Sequence, residues 1–146
     1  MHIRSMGHED YDALYALWLS CPGMGLNTTD DSREGIKKYI NRNPNTCFVA
    51  LEGERVVGAI LAGHDGRRGF ISHTAVAPDC QRRGIGAKLV AAALDGFKRE
   101  GIAKVALVAF ARNEAGNAFW EKQGFTVRDD LVYRNRALAE LTRIDT

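Results

Sequence analysis

The stretch from residue 70 to residue 110 limits the possible folds more than any other part of this sequence. Phe70–Ala77 is rich in apolar and β-branched residues and is stopped by Pro78, which predicts a strand. Gly84–Glu100 carries apolar residues at helical spacing, and Val105–Phe110 is a continuous apolar run typical of a buried strand. A strand, a helix and a second strand in this order predict a parallel crossover unit.

The remaining segments add strands and helices to this unit. Helical spacing of apolar residues predicts three further helices, over Glu9–Ser20, Ser32–Arg42 and Glu114–Lys122. Strand patterns occur at His2–Arg4, Thr46–Leu51 and Arg55–Ala62, and a final hairpin is predicted over Phe125–Arg128 and Leu131–Arg134. The chain therefore reads as an α/β protein with a mixed sheet covered by helices.

Length and composition argue for one domain and against several classes of function. The chain has 146 residues, which fits a single compact domain. Its net charge is only +2, which excludes a nucleic-acid binder that depends on bulk positive charge. Three sparse cysteines form no metal-ligand pattern, so we expect reduced thiols in the cytoplasm and no metal site. No segment resembles a signal peptide or is long enough to span a membrane, so no membrane partner is expected.

The loop that precedes the long helix has the character of an anion site. Its sequence over residues 81–87 is Gln-Arg-Arg-Gly-Ile-Gly-Ala. A helix begins with unpaired N–H groups and the positive end of its dipole, and Gly84 and Gly86 let phosphate oxygens approach the backbone. Arg82 and Arg83 add cationic donors. The loop lacks the residues of a Walker loop and the third glycine of a dinucleotide fingerprint, so it predicts a diphosphate site of another kind, with a ligand-free tight turn as the alternative.

Two motifs together resemble one enzyme superfamily. Gln81-x-x-Gly84-x-Gly86 is similar to the coenzyme A pyrophosphate loop of the GCN5-related N-acetyltransferase (GNAT) superfamily. Residues 113–125 resemble the same superfamily's Asn-Glu-x-Ala-x-x-x-Tyr-Glu-x-x-Gly-Phe segment. The order of elements matches as well, most closely that of small single-domain bacterial YpeA-type members. The resemblance implies one N-acetyltransferase domain over residues 1–146, whose mostly antiparallel sheet contains a splayed parallel strand pair and carries helices on both faces.

The resemblance also implies an activity and a set of binding residues. It implies an acetyl-CoA-dependent enzyme that acetylates a primary amine by direct attack in a ternary complex. The acceptor would be a protein N-terminus, a lysine or a small-molecule amine, and the protein a monomer or a homodimer. The backbone of Ala75 and Val76 would pair with the pantetheine arm, and Asn113 would bond to that arm or its vicinity. The diphosphate would be cradled by Gln81, Arg82, Arg83, Gly84, Ile85, Gly86 and Ala87.

Two positions depart from the superfamily's catalytic pattern. Trp120 stands where many members have a general-acid Tyr, and Val108 stands where the alanine acetyltransferases of ribosomal proteins have a Glu. These departures support an alternative, a coenzyme A-binding sensor or interaction domain with little catalysis. Tyr133, on the last predicted strand, is a candidate acid. His73, on the first strand of the crossover unit, is a candidate base because histidine ordinarily titrates near neutral pH.

Two interpretations of this sequence stay open. A lone histidine on a strand is more often structural, so we expect water rather than His73 to deprotonate the amine. Strand alternation would place His73 on one face with Ile71, and Ser72 on the opposite face. The polar hairpin tip between residues 63 and 69 is either solvated or a recognition element for an acidic acceptor, with His64 and Asp65 as the residues concerned.

Overall fold

A computed structural model describes residues 1–144 of the chain, which fold around one mixed sheet. Its strands follow the order β1-β2-β3-β4-β5, so that spatial order repeats chain order. Neighbouring strands are antiparallel as far as β4, and β4 and β5 run parallel. The bounds are β1 (His2–Ser5), β2 (Phe48–Glu52), β3 (Arg55–His64), β4 (Gly69–Val76) and β5 (Val105–Leu107).

Helices cover both faces of this sheet. The α-helices of the described residues are α1 (Tyr11–Ser20), α2 (Arg33–Arg42), α3 (Ile85–Arg99) and α4 (Glu114–Lys122). A Cβ added at Gly58 would meet Leu89 of α3, whereas one added at Gly63 would meet Tyr39 of α2. Because side chains alternate along β3, these two glycines mark opposite faces of the sheet. Both glycines allow a helix to pack closely against the strand.

The core lies between the sheet and these helices. The apolar stripe of α3 is buried against β2, β3 and β4, as its helical spacing predicted. Trp18 of α1 and Phe97 of α3 are among the largest fully buried side chains, one on each side of the sheet. Truncation of such an aromatic side chain to alanine costs roughly 3–5 kcal/mol. Burial of these side chains therefore stabilises the sheet that carries the residues of β4 and β5.

A bulge interrupts β4 near its centre. Leu61 of β3 pairs with His73, but the following residue, Ala62, pairs with Ile71, so Ser72 has no partner of its own on β3. A bulged residue breaks the alternation of side chains along a strand. The prediction that His73 shares a face with Ile71 is therefore wrong, because the bulge turns Ser72 and His73 toward the same face.

The C-terminal part of the crossover unit differs from the prediction. β5 ends at Leu107 rather than Phe110, and Val108 and Phe110 are 53% and 37% exposed. β5 is an edge strand of the sheet in the described residues, and none of its side chains is fully buried, so the run is not buried on both faces. The apolar run therefore predicted the strand and its first residue correctly, but not the residue at which the strand ends.

The predicted final hairpin over residues 125–134 is also wrong, because no strand forms between residue 123 and residue 144. Arg128 instead makes a local ion pair with Asp130, with two contacts of 2.8 Å. An isolated two-stranded hairpin is marginal in water unless its apolar face packs on something else. Here the apolar side chains of the segment are exposed, with Val127 and Val132 among them.

The end of the described chain returns to the loop between α1 and α2. The N–H of Thr28 donates to the carbonyl of Thr142 at 2.9 Å, and the N–H of Ile144 donates to the carbonyl of Leu26 at 3.0 Å. Asn27 and Arg143 form an antiparallel bridge between these two contacts. The tail thus fixes the middle of the α1–α2 loop by backbone pairing.

The predicted cytoplasmic location was based on the cysteines and on the lack of a segment long enough to span a membrane. Cys21, Cys47 and Cys80 are all buried and form no disulfide. Within residues 1–144, every helix is too short or too polar to cross a membrane. A cytoplasmic location stays a prediction.

Candidate active site

A large cleft opens where β4 and β5 diverge. The parallel pairing ends at Ile71 and Leu107, whereas β4 continues to Val76. The cleft has a volume of about 2120 Å³. Its walls are the α1–α2 loop and α2 on one side, and the loop before α3 together with α4 on the other. It therefore has two distinct sides that meet at β4.

The far end of β4 presents backbone groups to this cleft. The N–H of Ala77 donates to the carbonyl of Val57 on β3 at 2.8 Å, and Ala75 is also paired with β3. Backbone groups alternate in direction along a strand, so those of Val76 point into the cleft. Of the two residues that the resemblance implied, Val76 can pair with an extended ligand, whereas Ala75 contributes a buried side chain to the core.

Two side chains already hold the Val76 carbonyl, and a third polar group nearby has no partner. Gln81 donates to this carbonyl through Nε2 at 3.2 Å, and the Cys21 thiol donates to it at 3.5 Å. Burial raises the pKa of the Cys21 thiol, so it remains a neutral donor. The hydroxyl of Thr74 borders the cleft and is buried without a hydrogen-bond partner in the described part of the chain. An unsatisfied buried hydroxyl of this kind suits a polar ligand.

The loop before α3 turns sharply at two residues. Arg82 has φ 65° and Gly84 has φ 79°, both in the left-handed region. A non-glycine residue there is uncommon, and such strain is concentrated at functional sites. Arg82 borders the cleft, whereas Arg83 lies outside it and forms an ion pair with Glu52. The structure thus separates the two arginines that the sequence placed together.

The two glycines of this loop have different tasks. A Cβ at Gly86 would lie 3.2 Å from the ring of Phe119, so this glycine lets α4 pack on the first turn of α3. A Cβ at Gly84 would meet nothing within 4 Å, so the space beside it is open. The open space, the free N–H groups of the first helical turn and the cationic side chain of Arg82 together fit a diphosphate group.

Residues at the start of α4 are held by the helix itself. The side-chain oxygen of Asn113 accepts a hydrogen bond from the N–H of Gly116 at 2.9 Å, which caps the helix. Asn117 donates to the carbonyl of Phe110 at 3.0 Å and ties the preceding loop to the helix. Asn113 borders the cleft, and its bond to a pantetheine arm stays a prediction.

The catalytic candidates near α4 have little support from the structure. Trp120 packs edge-on against Phe119 and Phe125, with ring centroids 5.0 and 5.3 Å apart, so it acts as a packing residue. Tyr133 borders the cleft but is 65% exposed, and the strand on which it was expected does not form. Without that strand nothing in the described residues fixes its hydroxyl beside the cleft.

The hairpin tip between β3 and β4 lies away from the cleft. His64 pairs with Glu100 beyond the end of α3. Asp65 accepts hydrogen bonds from the N–H groups of Arg68 and Arg67, which lower the pKa of its carboxyl. None of these residues lines the cleft, so the structure favours a solvated tip over a recognition element.

His73 lies against a carboxylate that sequence reasoning missed. Its Nε2 is 2.7 Å from Oδ1 of Asp31, and the two side chains are only 12% and 5% exposed. Its Nδ1 is 3.1 Å from the carbonyl oxygen of Ser72, and Trp18 packs edge-on against the ring at 5.1 Å. The second carboxylate oxygen of Asp31 accepts from the N–H of Asn27 at 2.8 Å. His73 and Asp31 both border the cleft on the side of α1 and α2.

The sequence around Asp31 gave only a weak signal for this contact. Asp30, Asp31 and Ser32 stand just before a predicted helix, where acidic and hydroxyl residues ordinarily serve as caps. Ser32 does cap α2, accepting from the N–H of Gly35 at 3.0 Å. Asp31, directly before that cap, turns to β4 instead, which no local pattern indicates.

Comparisons with known proteins agree with this geometry. The model of the acetyltransferase (GNAT) family matches residues 11–125. An acetyltransferase of Sodalis glossinidius (strain morsitans) is 29% identical over 140 residues, which cover 96% of this chain and 97% of that protein. An acetyltransferase of Pectobacterium atrosepticum is 27% identical, with 96% and 98% covered.

Solved structures show the same fold. The Ard1 protein of Thermoplasma volcanium has a TM-score of 0.78 at 21% identity, with 87% of this chain and 83% of that chain covered. The PaiA N-acetyltransferase of Thermoplasma acidophilum, solved in complex with coenzyme A, has a TM-score of 0.76 at 21% identity, with 88% and 91% covered. The family match spans the cleft, the loop before α3 and α4, and it confirms the resemblance seen in the two motifs. The chain is an enzyme that belongs to the acetyltransferase (GNAT) family.

Proposed function

We propose that this enzyme transfers an acetyl group from acetyl-CoA to a primary amine by direct attack within a ternary complex. The observation that carries the proposal is the divergence of β4 from β5 beyond Ile71 and Leu107. It leaves the Val76 backbone and the start of α3 on one side of the cleft, and the α1–α2 loop on the other. Two substrates can therefore approach β4 from opposite sides and meet there.

The co-substrate is acetyl-CoA, which supplies an activated thioester. Its diphosphate would be held by the free N–H groups at the start of α3 and by Arg82, and its arm would pair with Val76. The unpaired hydroxyl of Thr74 is a further polar group on this side. Arg83 contributes only at longer range, because its guanidinium is paired with Glu52.

The reaction requires removal of a proton from the acceptor amine and stabilisation of the negative charge that develops on the thioester oxygen. A lysine-like acceptor has a pKa near 10.4 and an N-terminal amine one near 8, so the first needs more help to become nucleophilic. A backbone N–H on the open part of β4 can stabilise the oxyanion without any particular side chain. Val108 and Trp120 offer no acid or base, so any protonating group has to come from another part of the cleft.

The acceptor side of the cleft carries charges of both signs. Asp30 and Glu34 border it together with Lys38 and Arg42. This mixture favours no single class of amine, so a test has to include peptides, amino acids, polyamines and aminoglycosides. Two peptides distinguish a protein N-terminus from a lysine as the acceptor. One has a free N-terminus, and the other has the same sequence with an added lysine and a blocked N-terminus.

The proposal is tested by incubating the protein with acetyl-CoA and each amine and measuring the release of free thiol. We expect micromolar binding of acetyl-CoA, about −8 kcal/mol, and thiol release with at least one amine. Mass spectrometry of the product then identifies the acetylated nitrogen. Micromolar binding without thiol release for any amine would instead favour a coenzyme A-binding sensor or interaction domain.

A further inference from the structure

We propose that the hydroxyl of Thr74 donates a hydrogen bond to the sulfur atom that leaves acetyl-CoA. The inference rests on the proposed acetyl transfer and adds a residue that contacts the departing thiolate. Many members of the superfamily have a general-acid tyrosine in the segment that forms α4, and Trp120 stands at that position here. A donor for the sulfur therefore has to come from another element, and the open part of β4 carries one.

Thr74 lies on the part of β4 that extends beyond the parallel pairing with β5. Its register partner on β3 is Ile60. Two residues further along β4, Val76 pairs with Gly58, and a Cβ added at Gly58 would meet Leu89 of α3. Register partners and residues two apart on a strand share one face of a sheet. The side chains of Thr74 and Val76 therefore both point to the face that α3 covers.

Helix α4 packs on this same face. A Cβ at Gly86 would lie 3.2 Å from the ring of Phe119 and 3.8 Å from Cγ2 of Val76, so all three meet at the first turn of α3. Trp120, the next residue of α4, packs on Phe119 with ring centroids 5.0 Å apart. Both Trp120 and Thr74 border the cleft. A hydroxyl on this face of β4 therefore lies on the same side of the sheet as a side chain at the superfamily's tyrosine position.

The expected path of the cofactor arm brings its sulfur close to Thr74. The diphosphate is expected at the start of α3, which follows β4 in the chain, so the arm enters the cleft at the Val76 end of β4. Beyond Val76 the arm runs toward Thr74, which is roughly 7 Å away along the strand. In coenzyme A the sulfur is two methylene groups beyond the last amide nitrogen. An arm whose last amide pairs with Val76 therefore places its sulfur beside Thr74.

The Thr74 hydroxyl can turn to a ligand without losing a hydrogen bond. It is buried without a partner in the described part of the chain, whereas the residue as a whole is half-buried and borders the cleft. Rotation about χ1 between staggered positions exchanges the hydroxyl with the other substituents of Cβ. Because nothing bonds to the hydroxyl in its present position, the rotation removes an unsatisfied buried group and gains a bond to the sulfur.

The hydrogen bond acts when the thioester breaks. Both ring nitrogens of His73 face oxygen atoms, so we expect water to take the first proton from the acceptor ammonium. The neutral nitrogen attacks the carbonyl carbon, a C–N bond forms, and the C–S bond breaks with its electron pair going to sulfur. The new amide nitrogen loses one proton to water, and the thiolate takes one from water. Thr74 keeps its own proton and stabilises the thiolate as a donor.

The kinetic test compares the parent with Thr74→Val and Thr74→Ser in single turnovers at saturating acetyl-CoA, which exclude product release. Valine has the shape of threonine without the hydroxyl, so the rate should fall by roughly 10- to 100-fold, the range of a hydrogen bond to a charged group. The affinity for acetyl-CoA should change by less than about threefold, because the uncleaved thioester sulfur carries no charge. Serine restores the hydroxyl and should restore most of the rate.

Binding of coenzyme A and of desulfo-coenzyme A gives a readout that does not depend on turnover. Calorimetry about one pH unit above the ordinary thiol pKa of about 8.5 measures coenzyme A mostly as its thiolate. Thr74→Val should weaken binding of this thiolate by about tenfold or more and leave the affinity for desulfo-coenzyme A unchanged. Changing the protein and the ligand together isolates the contact between the hydroxyl and the sulfur.

A second buried threonine supplies a matched control. The hydroxyl of Thr46 donates to the carbonyl of Ala62 at 2.6 Å, and Thr46 lies outside the cleft. Thr46→Val removes a hydrogen bond that is made, so it should lower Tm and leave the rate unchanged. Thr74→Val removes a hydroxyl that is buried and unpaired, so Tm should stay the same or rise while the rate falls. A threonine with only a structural part would not show this opposite response.

The outcomes separate this inference from the proposed function. No thiol release by the parent with any amine would mean that the proposed function fails, and the inference with it. In an active parent, a single-turnover rate of Thr74→Val within about threefold of the parent's would overturn the inference alone. An equal loss of affinity for coenzyme A and for desulfo-coenzyme A would also overturn it. If Thr74→Val does not fold, Thr74→Ala serves for both measurements with the same expected results.

Discussion

The two sides of the cleft are built in different ways. The cofactor side consists of neighbouring residues in one loop and the first turn of one helix, and it works mainly through backbone groups. The acceptor side joins Asp31 and His73, which are 42 positions apart, through their side chains. A site made from local backbone leaves a motif in the sequence, whereas a site made from distant side chains does not. This difference explains why the sequence indicates the cofactor but carries no motif for the acceptor.

The substitution that tests this difference between the two sides most strongly is Gly84→Glu, on the cofactor side. The new carboxylate would enter the open space where a diphosphate is expected, so we predict at least a 100-fold loss in acetyl-CoA affinity by calorimetry. Gly53→Glu is the matched control, since Gly53 also has positive φ and open space around it but lies in the turn between β2 and β3. Both variants carry similar backbone strain, on the order of 1 kcal/mol. Equal affinities for acetyl-CoA in the two variants would contradict the assignment of the loop.

A smaller effect should distinguish the two arginines of the loop. Arg82 borders the cleft and Arg83 is paired with Glu52, so Arg82→Ala should weaken acetyl-CoA binding by about tenfold. That loss corresponds to one hydrogen bond to a charged group, about 1.5 kcal/mol. Arg83→Ala should change the affinity by less than about threefold, which is the scale of an exposed ion pair. The reverse order of the two effects would show that the loop closes differently around its ligand.

A loss of rate below about tenfold is expected for a change at Trp120 on α4. Trp120→Phe keeps an aromatic ring against Phe119 and Phe125, so kcat/KM should fall by less than about tenfold, or roughly 1.4 kcal/mol. Steady-state kinetics with the best acceptor measure this effect, and thermal unfolding checks the fold. A loss of several hundredfold in a folded variant would give Trp120 a direct part in the reaction.

Local patterns predicted most of the fold. The bounds of α4 agree with those predicted, and those of α3 differ by one residue at each end, because apolar spacing and helix-ending signals lie within the helices themselves. The predicted C-terminal end of β5 and the predicted C-terminal hairpin were wrong, since a strand depends on a partner elsewhere in the chain. Apolar content alone does not show whether such a partner exists.

In the candidate site, too, features that depend on neighbouring residues were predicted, and those that depend on distant residues were not. The glycines and Arg82 were predicted from their spacing, and the structure adds that Arg83 is turned away from the cleft. Asp31 was missed because its position resembles an ordinary helix start. The bulge at Ser72 was missed as well, because no feature of the Ile71-Ser72-His73 sequence indicates one.

The bulge in β4 allows the acceptor side to tolerate a change in the number of residues. Loss of a single codon at Ser72 would straighten the strand and leave Trp18, Asp31 and His73 all present in the sequence. The straightened strand would keep Ile71 opposite Ala62 and His73 opposite Leu61, so the histidine would still face the carboxylate, and only the Ser72 side chain beside Tyr39 would be lost. During evolution, a relative of this enzyme can therefore lose the bulge through one deletion and still keep the contact of His73 with Asp31.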